Sequence, residues 1–359
     1  MRIAQVAPLH ESVPPKLYGG TERVVYYLTE ELVQQGHEVT LFASGDSLTQ
    51  ARLVPICPQS LRLDPQCMDR LAYHMLMLER VYSEKDNFDV IHFHIDYLHY
   101  PLMRRQAVPA VTTLHGRLDI PDLVPLYREF QEHPAVSISD AQRQPLPWLN
   151  WQATVYHGLN CEDYGFCENP GKYLAFLGRI SPEKGLDKAI EIARRVGMPL
   201  KIAAKIDKAD QDYFDAKIKH LLNDPLIEYV GELAFPETNE FLRNAYAFLF
   251  PIQWPEPFGL VMIESMAAGT PVIAYARGSV PEVMDDGVSG FVVRDVQGAT
   301  RAIERISSLD RIGCRKYFEL RFNATRMCRD YVAVYEKLVH AEPAIVPAAR
   351  GDSVWLKSA

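Results

Sequence analysis

Residues 173–197 read YLAFLGRISPEKGLDKAIEIARRVG, and they hold one full unit of the architecture. Residues 173–177 are a short apolar run, which predicts a strand. Gly178 ends it, and Gly178-Arg179-Ile180-Ser181-Pro182-Glu183-Lys184-Gly185 forms a loop. Leu186, Ala189, Ile190, Ala193 and Val196 then recur at helical spacing, so a helix with one inward face follows and Gly197 stops it. Residues 200–204 are the next strand. A strand, a helical crossover and another strand build a parallel sheet.

The same alternation runs through the chain. In the first half it predicts strands over 3–7, 39–43, 90–94, 110–114 and 135–139. A helix over 21–34 has Val24, Val25, Leu28 and Leu32 on one face and Gly36 as its stop. In the second half the strands continue over 227–230, 247–250 and 271–274. Residues 160–172 are polar, carry Gly and Pro, and read as the linker. The last helix covers 323–340, and 341–359 is a loosely ordered tail rich in Ala and Pro. The fold class is therefore α/β, in two parallel-sheet halves, with ligands favoured in a cleft between them. The domains span 1–160 and 161–322.

A length of 359 residues suits two cores, and 48% hydrophobic with 23% charged residues is ordinary for a globular protein. A net charge of −8 argues against nucleic acid as a partner and against nonspecific binding to anionic membranes. No apolar run approaches the ~20 residues that span a bilayer, so no stable membrane insertion is expected. The N-terminal residues read as a buried strand and not as a signal peptide. The six cysteines form no Cys-x-x-Cys pair, which points to reduced thiols and a cytoplasmic protein.

Residues 255–271, PEPFGLVMIESMAAGTP, carry the strongest chemical signal. Pro257 and Gly259 keep Glu256 in a loop, while 261–268 forms a short helix that contains Glu264. A Gly-bearing loop before a helix leaves backbone N–H groups pointing out of the helix N-terminus, a ready site for phosphate. Glu256 lies in front of that site and Glu264 a little over a turn behind it. Carboxylates accept hydrogen bonds from vicinal hydroxyls, so the set suits a sugar, a diphosphate and a ribose. Two solvated glutamates are the bland alternative, but Glu264 falls in an apolar run where an unpaired charge is costly.

Other segments add weaker signals. Gly19-Gly20-Thr21-Glu22 opens the first helix and lets the backbone approach a ligand, or it is simply a capped turn. Arg179 and Lys184 leave one loop, as a diphosphate clamp or as a solvated basic loop. His115 stands at a strand end before Gly116, placed to donate to a sugar hydroxyl, to shape an acceptor site, or to serve the structure alone. His92, His94, Asp96 and His99 raise a rival reading. Histidines at i and i+2 of a strand point the same way, and the four together suggest the metal ligands of a metal-dependent hydrolase. The spacing does not match the His-x-His-x-Asp-His run of metallo-β-lactamase-like enzymes.

Taken together these residues resemble the family-4 glycosyltransferases, which retain anomeric configuration and have the GT-B architecture, so that two Rossmann-like, doubly wound parallel-sheet domains facing across a cleft are expected. The resemblance covers residues 1 to about 340 and is most specific over 256–269 and 178–185. Gly19-Gly20, His115 and Gly278-Ser279-Val280-Pro281-Glu282 are supporting matches. It implies a nucleotide-sugar donor held by the C-terminal domain, with the 323–340 helix crossing back to the N-terminal domain. Arg179 and Lys184 would bind the diphosphate. Backbone N–H groups of Phe258, Gly259, Leu260 and Val261 would reach the distal phosphate and the sugar. Glu256 would accept from hexose hydroxyls and Glu264 from the ribose. Gly231-Glu232-Leu233 would contact the base, and Gly20, beside Gly19, would approach the diphosphate from the other domain.

The pattern departs from the family at His157-Gly158-Leu159-Asn160, where Asn-Gly-Val-Asp is frequent. It departs again at Ala204-Lys205-Ile206-Asp207, where Gly-x-Gly is frequent; Lys205 there is a candidate phosphate or base contact and Asp207 a neutraliser. Residues 69–86 mix charge signs where membrane-acting members carry a basic amphipathic helix, so a soluble acceptor is expected. The implied activity is hexosyl transfer to an acceptor hydroxyl by a front-face route, with Arg179, Lys184, Glu256 and His115 as the catalytic set. No metal and no cofactor are expected. UDP-glucose is the first donor and GDP-mannose the second, on family frequency. A phosphorylase or an epimerase on the same scaffold is the alternative within this fold.

Overall fold

The computed structural model describes residues 1–17, 19–105 and 108–341; the expected tail lies, from residue 342 on, outside the described residues. Two parallel sheets form the frame. The first contains β1 (Arg2–Val6), β2 (Glu38–Ala43), β3 (Arg52–Pro55), β4 (Val90–Phe93), β5 (Ala110–Thr113), β6 (Ala135–Ser137) and β7 (Trp151–Thr154) in the order β3-β2-β1-β4-β5-β6-β7. The second contains β8 (Leu174–Arg179), β9 (Leu200–Lys205), β10 (Ile227–Gly231), β11 (Ala247–Phe250), β12 (Val272–Tyr275) and β13 (Gly290–Val293) in the order β10-β9-β8-β11-β12-β13. Each order reverses beside its first strand, at β1/β4 and at β8/β11, which is the doubly wound topology with its crevice at the switch point.

The apolar patterns account for the packing. Val24, Val25, Leu28 and Leu32 of helix Gly20–Gln34 are all fully buried. Helix Leu186–Val196 buries Leu186, Ala189, Ile190, Ile192 and Ala193, while Val196 is only half-buried. Three strands, β3, β7 and β13, have no counterpart in the sequence reading. All are four-residue edge strands that pair on one side only, and half-exposed runs such as WQAT carry little periodic signal. The strand expected over 135–139 stops at Ser137, because the Ser139 hydroxyl accepts a bond from Gln142 N at 3.0 Å and starts helix Asp140–Arg143.

The final helix, Ala324–Val339, packs against helix Gly20–Gln34 and β4 of the N-terminal sheet. The chain meets itself where it crosses. Leu159 N donates to Phe322 O at 2.8 Å and Ala324 N to Leu159 O at 2.9 Å. Arg315 donates to the carbonyls of Cys161 (2.8 Å) and Tyr164 (2.9 Å), and Arg311 to that of Cys167 (2.8 Å). These bonds satisfy a polar segment that has no ladder of its own. Among the described residues, no helix is long and apolar enough to cross a membrane.

Candidate active site

A cavity of about 470 Å³ lies between the two sheets. Its walls are the segments that leave the carboxyl ends of β1, β5, β6, β8, β9, β10 and β11, because parallel strands deliver all such loops to one edge. The volume falls in the range of small-molecule sites. Gly19, Gly20, His115, Lys184, Glu232, Leu233, Glu256, Phe258, Gly259, Leu260, Val261 and Glu264 all line it, together with Gly178 and Lys205.

The loop before helix Leu260–Ala267 turns through Gly259 at φ 78° and ψ 63°. A Cβ there would stand 2.7 Å from Met262 Cε, so conformation and space both demand glycine. The first N–H groups of the helix have no carbonyl one turn before them within the helix, and they front the cavity with the positive end of the helix dipole. The loop is braced from both domains. Ser139 Oγ donates to Pro257 O at 2.6 Å, Ser279 Oγ to Phe258 O at 3.0 Å, and Ser279 N to Glu256 O at 2.9 Å. Gly278, at φ 56°, lies so close that an added Cβ would be 2.4 Å from both N and O of Glu256. Gly278→Ala therefore displaces the Glu256 loop, and we expect activity to fall about tenfold or more while circular dichroism stays native. Unchanged kinetics would show that the loop tolerates the shift.

Lys184 Nζ is 2.8 Å from Glu256 Oε2, and Trp254 Nε1 donates to the same oxygen at 2.8 Å. The ammonium also faces the Trp254 and Phe250 rings at 5.6 and 5.7 Å, which shields the pair from water. Arg179 sits differently from the clamp expected of it. It does not line the cavity, and its guanidinium is held by Asp210 at 3.2 Å, Asp207 at 3.8 Å and Glu183 at 4.0 Å. The cation from this side is Lys205, at the end of β9, which pairs with Asp207 at 3.1 Å and lines the cavity.

Glu264 accepts from Tyr164 OH at 3.3 Å and faces Arg23 Nε at 3.7 Å, with the arginine over the Phe235 ring. Burial pushes its carboxyl above the usual range, while Arg23 pulls the other way. Gly20 closes on the same helix, since a Cβ there would lie 3.9 Å from Leu260 Cδ2. Sequence reasoning gave Arg23 no role; nothing in a helical pattern marks which polar residue faces a cleft.

Two acidic residues of the N-terminal wall were also not singled out. Glu22 is 5% exposed, lines the cavity, and its carboxyl is raised to about 7 by burial, against opposing bonds from its own N–H and that of Glu11. Glu11 is held by Arg62. His10 beside them is lowered to about 4, burial being the main cause. Gly19 and Gly20, just ahead of Glu22 in the motif that opens the first helix, were the local sign of a site.

The four proposed metal ligands do not converge. His92 bonds Tyr335 OH and Thr113 Oγ1, both at 2.7 Å; His94 bonds Gln5 Oε1 and His115 Nε2, both at 2.9 Å; His99 Nε2 bonds Thr112 Oγ1 at 2.8 Å. His92 and His94 do lie on one side of the strand, but as packed rings 4.0 Å apart. Burial lowers all three histidines well below their ordinary value and raises Asp96. Among the described residues no group of three or more His, Cys, Asp or Glu is placed to hold a metal ion. The hydrolase reading is corrected on that geometry: these are core histidines, and both ring nitrogens of His92 and His94 and Nε2 of His99 are spent on neighbours. His115 does line the cavity; burial lowers it to about 3, and its Nδ1 is buried without a partner.

Comparison with known proteins agrees with this frame. Residues 18–155 match the family model described as Glycosyltransferase Family 4, and residues 167–319 that described as Glycosyl transferases group 1. Spore coat protein SA of Bacillus subtilis is 26% identical, over 94% of this chain and 100% of that protein. Among solved structures, sucrose-phosphate synthase from Thermosynechococcus elongatus superposes with a TM-score of 0.77 at 18% identity, covering 95% of this chain and 100% of its own. Anabaena HepE, solved in complex with UDP and glucose, gives 0.71 at 17% identity, covering 94% and 100%.

Proposed function

Because the chain belongs to the family-4 glycosyltransferases of GT-B architecture, we propose that it moves a hexosyl group from a nucleotide diphosphate sugar to an acceptor hydroxyl, with retention and without a divalent metal. One observation carries this reading. Lys184, Glu256 and the N-terminus of helix Leu260–Ala267 share one cavity wall, with Glu264 one turn further along. Positive charge thus stands where a diphosphate leaves, beside acceptors for sugar and ribose hydroxyls. UDP-glucose is the first donor to try, a choice supported by the UDP and glucose bound in the HepE structure.

In the proposed step the bond from the anomeric carbon to the diphosphate oxygen breaks. The bond to the acceptor oxygen forms on the same face, and the acceptor proton passes to the leaving diphosphate. Retention by a double displacement would need a free carboxylate as nucleophile. Glu256, the carboxylate nearest the cation, is already committed to Lys184 and Trp254. Lys184 and the helix end stabilise the charge that a metal would otherwise neutralise.

The test is a thermal-shift series with UDP-glucose, UDP-N-acetylglucosamine, GDP-mannose and ADP-glucose, all in EDTA. A donor at 100 times its dissociation constant adds ~2.7 kcal/mol of apparent stability. We expect one donor to stand out, and NMR of the product formed with it to show the donor's anomeric configuration. No shift without added metal, or an inverted product, would refute the metal-free retaining reading.

A further inference from the structure

The buried polar chain behind His115 has a direction. His94 Nε2 lies 2.9 Å from Gln5 Oε1. An amide oxygen only accepts, so His94 carries its hydrogen on Nε2 and its Nδ1 is bare. That Nδ1 is 2.9 Å from His115 Nε2, which therefore donates. His115 Nδ1 is left with a lone pair, buried and without a partner, on a ring that lines the cavity.

The other end of the chain is compatible with that direction. Gln5 Nε2 donates to Tyr335 OH at 3.1 Å. Tyr335 OH is 2.7 Å from His92 Nδ1, His92 Nε2 is 2.7 Å from Thr113 Oγ1, and Thr113 Oγ1 is 3.0 Å from Tyr331 OH. Read from Gln5, each group accepts from one neighbour and donates to the next, with no conflict. Reversing the Gln5 amide would reverse every bond and put the hydrogen of His115 on Nδ1, so the chain holds one polarity or the other as a unit. Tyr331 and Tyr335 belong to helix Ala324–Val339, which follows the C-terminal domain in sequence.

We infer that Gln5, with its amide oxygen turned to His94, and His94 are positioning residues that hold His115 Nδ1 as a hydrogen-bond acceptor, so that the substrate atom seated against it must carry a proton. A sugar hydroxyl fits that demand. A carboxylate or carbonyl at the same position would face a lone pair and bind poorly, which makes the chain a filter for a hydroxylated sugar over its oxidised counterpart. Protonation does not relieve the filter at neutral pH, because burial lowers His94 well below its ordinary value and His115 to about 3. The substrate half of this inference rests on the proposed function; the ring state of His115 does not.

The test is the nitrogen-15 NMR spectrum of the imidazole groups in the full chain without substrate, with His115 assigned by a His115→Gln variant. We expect the Nε2–H form at both His94 and His115. An Nδ1–H form at His115 overturns the inference, and this needs no other variant to fold. His94→Phe removes the acceptor for His115 Nε2, so a mixed tautomer and a donor KM raised about tenfold are expected. His94→Asn, whose amide oxygen can still accept, restores the tautomer. A His94→Phe protein with the Nε2–H form and an unchanged KM counts against the inference. Because the spectrum is read without donor, its outcome is independent of whether the donor reading holds.

Discussion

Lys184→Ala lowers kcat/KM by at least about a hundredfold, with the loss mainly in kcat. The ammonium is mostly buried, 2.8 Å from Glu256 and between two aromatic rings, so its field is weakly screened by water. In the proposed step it acts on charge that grows as the diphosphate leaves, and an interaction stronger in the transition state than in the bound donor acts on kcat. Removing one such contact typically costs about two to three orders of magnitude. The substitution also leaves Glu256 as an uncompensated carboxylate at an anion site, which adds to the penalty. Glu256→Ala should fall by a similar factor, since it removes a hydroxyl acceptor and frees Lys184 from its geometry. The double variant should be much less impaired than the product of the two, as expected for residues in contact. Steady-state kinetics on the three proteins checks this. Near-normal turnover in either single variant would remove the assigned roles, and strict additivity would deny the coupling.

Glu22→Gln should be more stable than the parent at pH 8 and nearly equal to it at pH 4. The Glu22 carboxyl is raised from 4.5 to about 7 by burial. The folded chain therefore holds a proton that the unfolded chain has already released. That stability is fully present below pH 4.5 and is lost as pH rises through 7. The difference of roughly 2.5 units corresponds to about 3 kcal/mol at most, at 1.36 kcal/mol per unit. A neutral amide cannot lose a proton, and its oxygen can still accept the Glu11 N–H. Denaturant titrations of both proteins between pH 4 and 8 should show the gap opening across that window. A gap independent of pH would mean that Glu22 is ionised throughout.

Much of this molecule is legible in one dimension. The loop from Glu256 to Val261 announces itself because a helix start, a glycine and a carboxylate are local features, and Lys184 and Gly20 follow similar loops after strands. All line one cavity for a topological reason: parallel strands that alternate with helices gather their outgoing loops at one edge. The edge strands β3, β7 and β13 are not legible, since each is only four residues long and paired on one side, whereas the five-residue edge strand β10 is. The two cations of the 178–185 loop look equivalent in sequence. In space Lys184 meets Glu256, while Arg179 is taken up by Asp207 and Asp210 and Lys205 lines the cavity.

The histidines show where local reading stops. His92, His94 and His99 have the residue types of a metal site, but their partners Gln5, Thr112, Thr113 and Tyr335 come from β1, β5 and a helix more than two hundred residues away. The sequence by itself determined the α/β alternation, most strands of both sheets and the glycine-bearing loops that carry Glu256 and Lys184, because these depend on residues within a turn or two of each other. Only the tertiary structure decided which cation faces the cavity, that Glu22 is buried there, and that the histidines bond one another and their neighbours. Those outcomes depend on which side chains from distant segments reach the same few ångströms, and on how much water their packing leaves.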